Sequence, residues 1–416
     1  MKIVIMAGGK GTRIASVNAE VPKPMIEILG KPILEYQLDC LKAQGCTEFI
    51  LVVGHLGHVI RDYFGDGSKF GVHISYIVET EPLGTAGALY LLKDQLTEDF
   101  LLLCGDVIFD IDLNRFAQAH RKNGGIATLF THPNSHPYDS GIIKADAQGR
   151  VTDWLHKEDE RLWYRNRVNA GLHMLSPRIF QGELFRELKK VDLDREVLKP
   201  LIPTGELYVY DSPEYVKDMG TPDRFYSVTE DVKTGKVQGK NLSRPQKCVF
   251  LDRDGTINKY VGFLRDIDQF ELLPDAAQAI RRINESGYLC IVVTNQPVIA
   301  RGEVTEIELR EIHNKMETLL GREGAYIDGL YYCPHHPHKG YEGEIPELKI
   351  DCDCRKPKPG MLLQAAKDFN IDLSRSYMIG DGENDVQCGL SAGCTALRVG
   401  PEGDFPTLSA AVSTIV

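Results

Sequence analysis

Short apolar runs alternate with amphipathic stretches along most of the chain. The runs KIVIMAGG, EFILVVG, HISYIVE and DFLLLCGD are rich in β-branched and aromatic residues and predict buried strands. Between them, PILEYQLDCLKAQG and GTAGALYLLKDQL carry apolar residues at helical spacing and predict helices. Strand and helix in alternation predict βαβ units, hence an α/β fold built on a mostly parallel sheet with flanking helices. The pattern fades over DVKTGKVQGKNLSRPQK, a polar, Gly- and Lys-containing stretch that ends in Pro and reads as a linker. It then restarts with KCVFLDRDGT, the helix-like DAAQAIRRINESG, the strand-like YLCIVVTNQ and the helix-like TEIELREIHNKMETLLG. The expected organisation is a first domain over 1–232, a linker over 233–246 and a second α/β domain over 247–416. No short-period repeat interrupts it.

Length supports the division, because 416 residues exceed what one hydrophobic core ordinarily organises. A net charge of −11 argues against nucleic acid or an acidic membrane as the main partner, but leaves room for a basic pocket that takes a phosphorylated small molecule. The opening MKIVIMAGG is too short for a signal-peptide core, and no run approaches a membrane span, so a cytoplasmic protein is expected. A homo-oligomer is compatible with the sequence. In that compartment cysteines are thiols or metal ligands. Cys40, Cys46, Cys104, Cys248, Cys290, Cys388 and Cys394 stand singly in apolar surroundings and read as small core residues.

MAGGKGTR follows the first strand. Gly8, Gly9 and Gly11 allow close backbone approach to a phosphate, and Thr12 and Arg13 add donors, although a plain turn would read the same way. In VPKPM the flanking prolines hold Lys23 on a stiff extended segment, which lets it be aimed. The pair closely resembles the signature of the sugar-1-phosphate nucleotidyltransferases. Further matches follow in order over roughly residues 1–230: EPLGTAGAL with Gly84, LLCGDVIFD with Asp106, VNAGLHMLS with Asn169, and VKDMGTPDRF with Asp218. The resemblance implies a Rossmann-like domain in which a sugar 1-phosphate oxygen attacks the α-phosphorus of an NTP and pyrophosphate leaves. Asp106 and Asp218 would hold Mg²⁺, and Arg13 and Lys23 would neutralise the triphosphate. Gly84 would face the nucleoside and Asn169 the sugar, with Gly141 a further candidate for substrate binding. The family's second lysine stands in a Glu-Lys-Pro step. Here WLHKED offers Lys157, with His156 and Glu158 in place of the usual neighbours, and an ordinary solvated lysine is the other reading. GGxGTR, PKPM and GTAGAL together look most like guanylyltransferases for mannose-type sugars.

CVFLDRDGTIN places Asp252 and Asp254 just past a buried strand, two residues apart and therefore on one side of an extended segment. Two close carboxylates can divide the roles of nucleophile and proton donor. VVTNQ ends a strand in Thr294 and Asn295, CRKPKPG supplies Lys356, and MIGDGENDV supplies Asp381 and Asp385. This order resembles the haloacid-dehalogenase-type phosphatases over about residues 246–400. By that match Asp252 attacks phosphorus and Asp254 serves as acid and then base. Thr294 and Lys356 neutralise the phosphoryl group, and Mg²⁺ is held by Asp252, the Asp254 carbonyl and Asp381. Asp385 reads as a supporting or structural residue.

The second domain is too short for a large cap. Cys333-x-His335 and Cys352-x-Cys354 supply three thiolates and an imidazole, a closed set for tetrahedral Zn²⁺, with His336 and His338 as competing ligands. This loop resembles that of the heptose bisphosphate phosphatases and the related histidinol phosphate phosphatases. NQPVIARG is similar to their NQSGIARG, with Pro297 and Val298 in place of small residues. Arg301 and Arg355 are candidates for contacts to the rest of the substrate, with plain surface arginines as the alternative. The two chemistries connect: removal of the 7-phosphate from a heptose 1,7-bisphosphate leaves the sugar 1-phosphate a nucleotidyltransferase needs. The expectation is a bifunctional enzyme that makes nucleotide-activated heptose, with GTP as the implied donor. The alternatives are another sugar or base served by the same two reactions, or a sugar-nucleotide sensor without turnover.

Overall fold

The structure, a computed structural model, describes residues 1–9 and 21–416. Gly11, Thr12 and Arg13 lie outside the described residues. Contacts group the chain into two units. One comprises residues 1–132, 143–154 and 169–241; the other comprises 133–142, 155–168 and 242–416. No helix among the described residues is long and apolar enough to cross a membrane.

The first unit is built on a mixed, parallel-rich sheet. Its centre is the strand Ile3–Ala7, parallel to Glu48–Val53 on one side and to Phe100–Cys104 on the other. His73–Val78 extends the parallel run beyond Glu48–Val53. Val168–Leu175 runs antiparallel to Phe100–Cys104. Ile3, Ile5, Phe49, Leu51, Leu101 and Leu103 pack on one face of the sheet, and Val4, Ile50, Val52, Phe100 and Leu102 on the other. Burial on both faces is what uninterrupted apolar strands require. The expected helix at the start of the chain forms over Ile33–Lys42. The amphipathic stretch after Gly84 instead forms a 3₁₀ segment, Gly87–Leu92. Its backbone is committed elsewhere: Ala86 N–H donates to the Val191 carbonyl, and Val191 N–H to that of Leu83. A Cβ on Gly87 would stand 2.3 Å from the Lys189 oxygen.

The second unit holds a five-stranded, all-parallel sheet in the order Gly329–Cys333, Leu289–Asn295, Cys248–Leu251, Tyr377–Gly380, Thr395–Arg398. Helices cover it. Glu306–Arg322 starts with a capping box: Glu308 N–H donates to Thr305 Oγ1, and Thr305 N–H to the Glu308 carboxylate. Leu309, Ile312, Met316 and Leu320, at helical spacing, form its buried face. Every strand ends toward the same edge, which gathers Asp252, Thr294, Cys333 and Asp381 at or just beyond the carboxyl ends. Ligands enter open parallel sheets at that edge.

The stretch expected as a linker is structured. Residues Lys236–Gly239 form a short helix, and Gln246 exchanges backbone hydrogen bonds of 2.8 Å with Asn370 and Asp372. Residues 133–142 and 155–168 are secured inside the second unit by the helix Glu306–Arg322. Tyr164 N–H donates to Thr318 Oγ1 at 2.9 Å, and Asn166 N–H to Glu317 Oε2 at 3.0 Å. The Arg167 guanidinium lies 3.3 Å from the same carboxylate and also donates to the Asp328 carbonyl. Asn166 exchanges hydrogen bonds with the backbone of Asn134, and Pro137 packs where a Cβ on Gly321 would be. Arg167 and Glu317 are both almost fully buried. Removing one charge of such a pair strands the other in low dielectric. Glu317→Ala is expected to cost the second unit about 3–5 kcal/mol in chemical denaturation, and loss of less than about 1 kcal/mol would contradict this account of the pair.

Candidate active sites

In the first unit a cavity of about 880 Å³ opens at the carboxyl ends of the central strands, lined by Gly8, Gly9, Lys23, Gly84 and Asp106 among others. Lys23 pairs with the Asp106 carboxylate. Asp106 sits in a tight turn after Phe100–Cys104. Gln37 Nε2 pins that turn by donating to the carbonyls of Cys104 and Val107 at 2.9 and 2.7 Å. Gly105 passes where a Cβ would meet the Met6 oxygen and Pro24, each at 3.1 Å. Asp218 ends a strand whose antiparallel register sets it opposite Val107, one residue from Asp106. The Arg224 guanidinium grips both Asp218 oxygens at 2.8–2.9 Å, and although burial opposes it, the Asp218 carboxyl is held below its ordinary range. Carboxylate oxygens at Asp106 and Asp218 are the donors a hard cation takes.

Each glycine has its own reason. At Gly8 a Cβ would lie 2.3 Å from Glu79 Oε2, so a carboxylate occupies that space; at Gly9 nothing lies within 4 Å. Gly84 has φ +79°, and a Cβ there would meet the Val191 oxygen at 2.4 Å. Asn169 accepts through Oδ1 from Gly171 N–H and His173 Nε2. Burial pushes His173 down to about 4, so it is neutral. Gly141 and Lys157 fall in the segments that fold with the second unit, Lys157 in an exposed turn.

In the second unit Lys356 is the hub. Its ammonium is almost fully buried and meets three acceptors: Asp252 Oδ1 at 2.7 Å, Asp385 Oδ1 at 2.6 Å and the Val293 carbonyl at 2.9 Å. That exhausts its three donors. Burial pushes the Asp252 carboxyl up to about 7, against the pull of Lys356 and with Asp385 adding to the push. Asn295 is engaged at both ends of its amide by the backbone of Lys356, each at 3.0 Å, so here it clamps the lysine. Carboxylate oxygens of Asp252, Asp381 and Asp385 lie within 4.8 Å of one another, a donor set that fits Mg²⁺. Gly255, at φ +80°, makes room for this: a Cβ there would stand 2.1 Å from Asp381 Oδ2.

Asp254 faces different company. It accepts from Arg253, Asn258 and Gln296, at 2.8, 3.0 and 2.9 Å. Burial would raise its pKa, but Arg253 and these hydrogen bonds outweigh it and hold the carboxyl below its ordinary range. Gln296 also donates to Thr294 Oγ1 at 2.9 Å and so joins two candidate residues. Arg253, Gln296 and Asn258 were not singled out from the sequence. Their signal was proximity to DxDGT and VVTN, which a motif reading spends on the motif residues alone.

Beside this edge, Cys333, His335, Cys352 and Cys354 converge. Sulfur–sulfur distances are 3.2–3.5 Å, and His335 Nδ1 lies 3.3 and 3.6 Å from two of the sulfurs. These are close to the edges of a tetrahedron around an ion bound at about 2.0–2.3 Å, so the donor set fits Zn²⁺. His336 instead turns its Nδ1 to the His338 carbonyl. Arg355 donates to the His335 carbonyl, and Arg301 lies between the rings of Phe263 and Tyr341 at 3.9 and 4.3 Å.

Comparison with known proteins finds two families along the chain. Residues 2–235 match the nucleotidyl transferase family, and residues 229–393 match the haloacid dehalogenase-like hydrolases. The D-glycero-beta-D-manno-heptose-1,7-bisphosphate 7-phosphatase of Yersinia pestis is 44% identical over 151 residues, which is 36% of this chain and 78% of the relative. That of Pasteurella multocida is 46% identical over 147 residues, 35% of this chain and 77% of the relative. Among solved structures, HddC from Yersinia pseudotuberculosis is 26% identical, with a TM-score of 0.48 over 56% of this chain and 99% of its own. The chain therefore belongs to the nucleotidyl transferase family through its N-terminal part and, through its C-terminal part, to the haloacid dehalogenase-like hydrolases in the family of the heptose bisphosphate 7-phosphatases.

Proposed function

We propose that this chain is a bifunctional enzyme of nucleotide-activated heptose formation. Its C-terminal part hydrolyses the 7-phosphate of D-glycero-D-manno-heptose 1,7-bisphosphate. Its N-terminal part transfers a nucleotidyl group, GMP from GTP, to the heptose 1-phosphate that results. One observation carries the reading: a heptose bisphosphatase homologue is joined to a nucleotidyl transferase, so the product of one reaction is the acceptor of the other. Hydrolysis runs one way and feeds a near-reversible exchange. Small-molecule sugar phosphates and an NTP are the partners, and a cytoplasmic location suits both.

In the phosphatase, an Asp252 oxygen attacks phosphorus and the sugar oxygen leaves. Lys356, already beside Asp252, neutralises the charge that gathers on the phosphoryl oxygens, and the Thr294 hydroxyl holds one of them. Asp254 gives the leaving oxygen a proton, then takes one from the water that opens the aspartyl-phosphate. Its surroundings favour the carboxylate, which suits the second step; for the first, the charge of the bound phosphate raises its proton affinity. Asp252, the Asp254 carbonyl and Asp381 would hold Mg²⁺, which would supply further positive charge at the site. Zn²⁺ at Cys333, His335, Cys352 and Cys354 would be closed to substrate. It would fix the loop that delivers Arg355 and Lys356 in place of a cap. Arg301 and Arg355 are the candidates for contacts to the rest of the sugar.

In the transferase, Lys23 and Arg13 neutralise the triphosphate, with Gly8, Gly9, Gly11 and Thr12 offering backbone and hydroxyl donors and Gly84 facing the nucleoside. Asp106 and Asp218 would hold Mg²⁺ there, which would add positive charge at the reacting phosphates. The Asn169 oxygen is already engaged, so its amide nitrogen is the group left to meet a sugar hydroxyl.

Asp252→Asn is expected to reduce phosphate release from the bisphosphate to background and leave nucleotidyl transfer from supplied heptose 1-phosphate intact; loss of both would contradict separate chemistries. Lys23→Ala is expected to lower nucleotidyl transfer by roughly 10²–10³-fold, with phosphate release unchanged in the same preparation. Assay of both heptose 1-phosphate anomers against all four NTPs checks the donor, and no transfer from GTP would refute guanine. Metal analysis of purified protein is expected to find about one tightly held zinc per chain, and a zinc-free preparation with full phosphatase activity would remove the proposed loop anchor.

A further inference from the structure

Arg253 lies between the two aspartates in sequence, in a bend just past the strand Cys248–Leu251. It is fully buried there, yet it reaches back to Asp254: NH2 lies 2.9 and 2.8 Å from the two carboxylate oxygens, and Nε 3.2 Å from Oδ1. Something must hold the far side of the guanidinium while it does so. That group is His313, sixty residues away on the helix Glu306–Arg322, whose Nε2 stands 3.1 Å from Arg253 NH1.

A guanidinium does not give up its proton, so NH1 is the donor and His313 Nε2 the acceptor. The imidazole is therefore neutral, with its proton on Nδ1. Burial and the neighbouring Arg253 charge both favour that state. His313 is itself nearly buried, beside the Tyr332 ring at 5.9 Å, and its helix neighbours Ile312 and Met316 are core residues. Asn258 and Gln296 also donate to the Asp254 oxygens, and the guanidinium is the charged member of the three groups that fix the carboxylate.

We propose that His313 is a positioning residue of the phosphatase, which acts through Arg253 to hold the Asp254 carboxyl where it can protonate the leaving sugar oxygen. This rests on the reading of Asp254 as acid and base. The reaction it serves is balanced: the Asp252–phosphorus bond forms, the phosphorus–oxygen bond to the sugar breaks, and the proton on Asp254 passes to that oxygen. A p-nitrophenolate leaving group needs no such proton, so the device matters for a sugar phosphate and not for an aryl phosphate.

The test compares kcat/KM for heptose 1,7-bisphosphate and for p-nitrophenyl phosphate in the full-length protein, since this parameter covers the steps up to departure of the leaving group. His313→Leu is expected to lower it roughly tenfold on the bisphosphate, the worth of one hydrogen bond to a charged group, and less than about twofold on the aryl phosphate. His313→Gln, which restores an acceptor, is expected to recover most of the loss. Arg253→Lys, which keeps the charge but not the fork, should reproduce the leaving-group selectivity if the leucine variant fails to fold. Equal loss on both substrates, or no loss on either, would overturn the proposal. Asp254→Asn separates the two levels. If it is selective for the bisphosphate while the His313 and Arg253 variants are not, the positioning role alone fails. If Asp254→Asn is not selective, the acid reading fails and the proposal with it.

Discussion

A buried ammonium must be surrounded by acceptors, and that constraint organises the phosphatase edge. Lys356 satisfies it with Asp252, Asp385 and the end of the strand Leu289–Asn295. The two carboxylates could not sit so close without it, because burial already pushes Asp252 up to about 7 and Asp385 pushes it further. Asn295 locks the Lys356 backbone, and the Cys/His cluster ends two residues before it at Cys354. Asp252, Lys356, Asn295 and the Cys/His cluster are thus one connected arrangement. A neutral residue at 356 would leave two aspartates facing each other in low dielectric.

The first unit solves a related problem differently. Its charges gather around an open cavity large enough for a nucleotide-sized ligand, and each acidic candidate has a basic partner: Lys23 for Asp106 and Arg224 for Asp218. Backbone placement does most of the work. Gln37 fixes the Asp106 turn, and an antiparallel register puts Asp218 across from Val107. The second unit aims side chains by packing them; the first aims them by turns and glycines.

The two units do not divide at a single point in the chain. The nucleotidyl transferase match runs through residues 2–235, yet 133–142 and 155–168 fold with the second unit, secured by Glu317 and Thr318. A domain boundary read from a fading strand–helix pattern cannot register this. The pattern reports local periodicity, whereas Asn166 and Glu317 meet across about 150 residues of chain.

The α/β class and the spaced motifs were legible because each rests on local physics. Apolar runs must be buried, and a carboxylate pair just past a buried strand lands at the ligand edge of a parallel sheet, whereas the Pro-flanked Lys23 opens a 3₁₀ turn, Lys23–Met25, instead of lying extended. Cys333, His335, Cys352 and Cys354 were legible for the same reason, since pairs of soft ligands at such spacing have few other uses. What only the tertiary structure decided were partnerships between distant residues of ordinary type. They include Gln37 at the Asp106 turn, Glu79 against Gly8, Gln296 between Thr294 and Asp254, and His313 behind Arg253. A glutamine or histidine on a helix carries no sign of the group it will face. Its partner is chosen by packing of elements far apart in sequence, and that choice exists only once the core has closed around them.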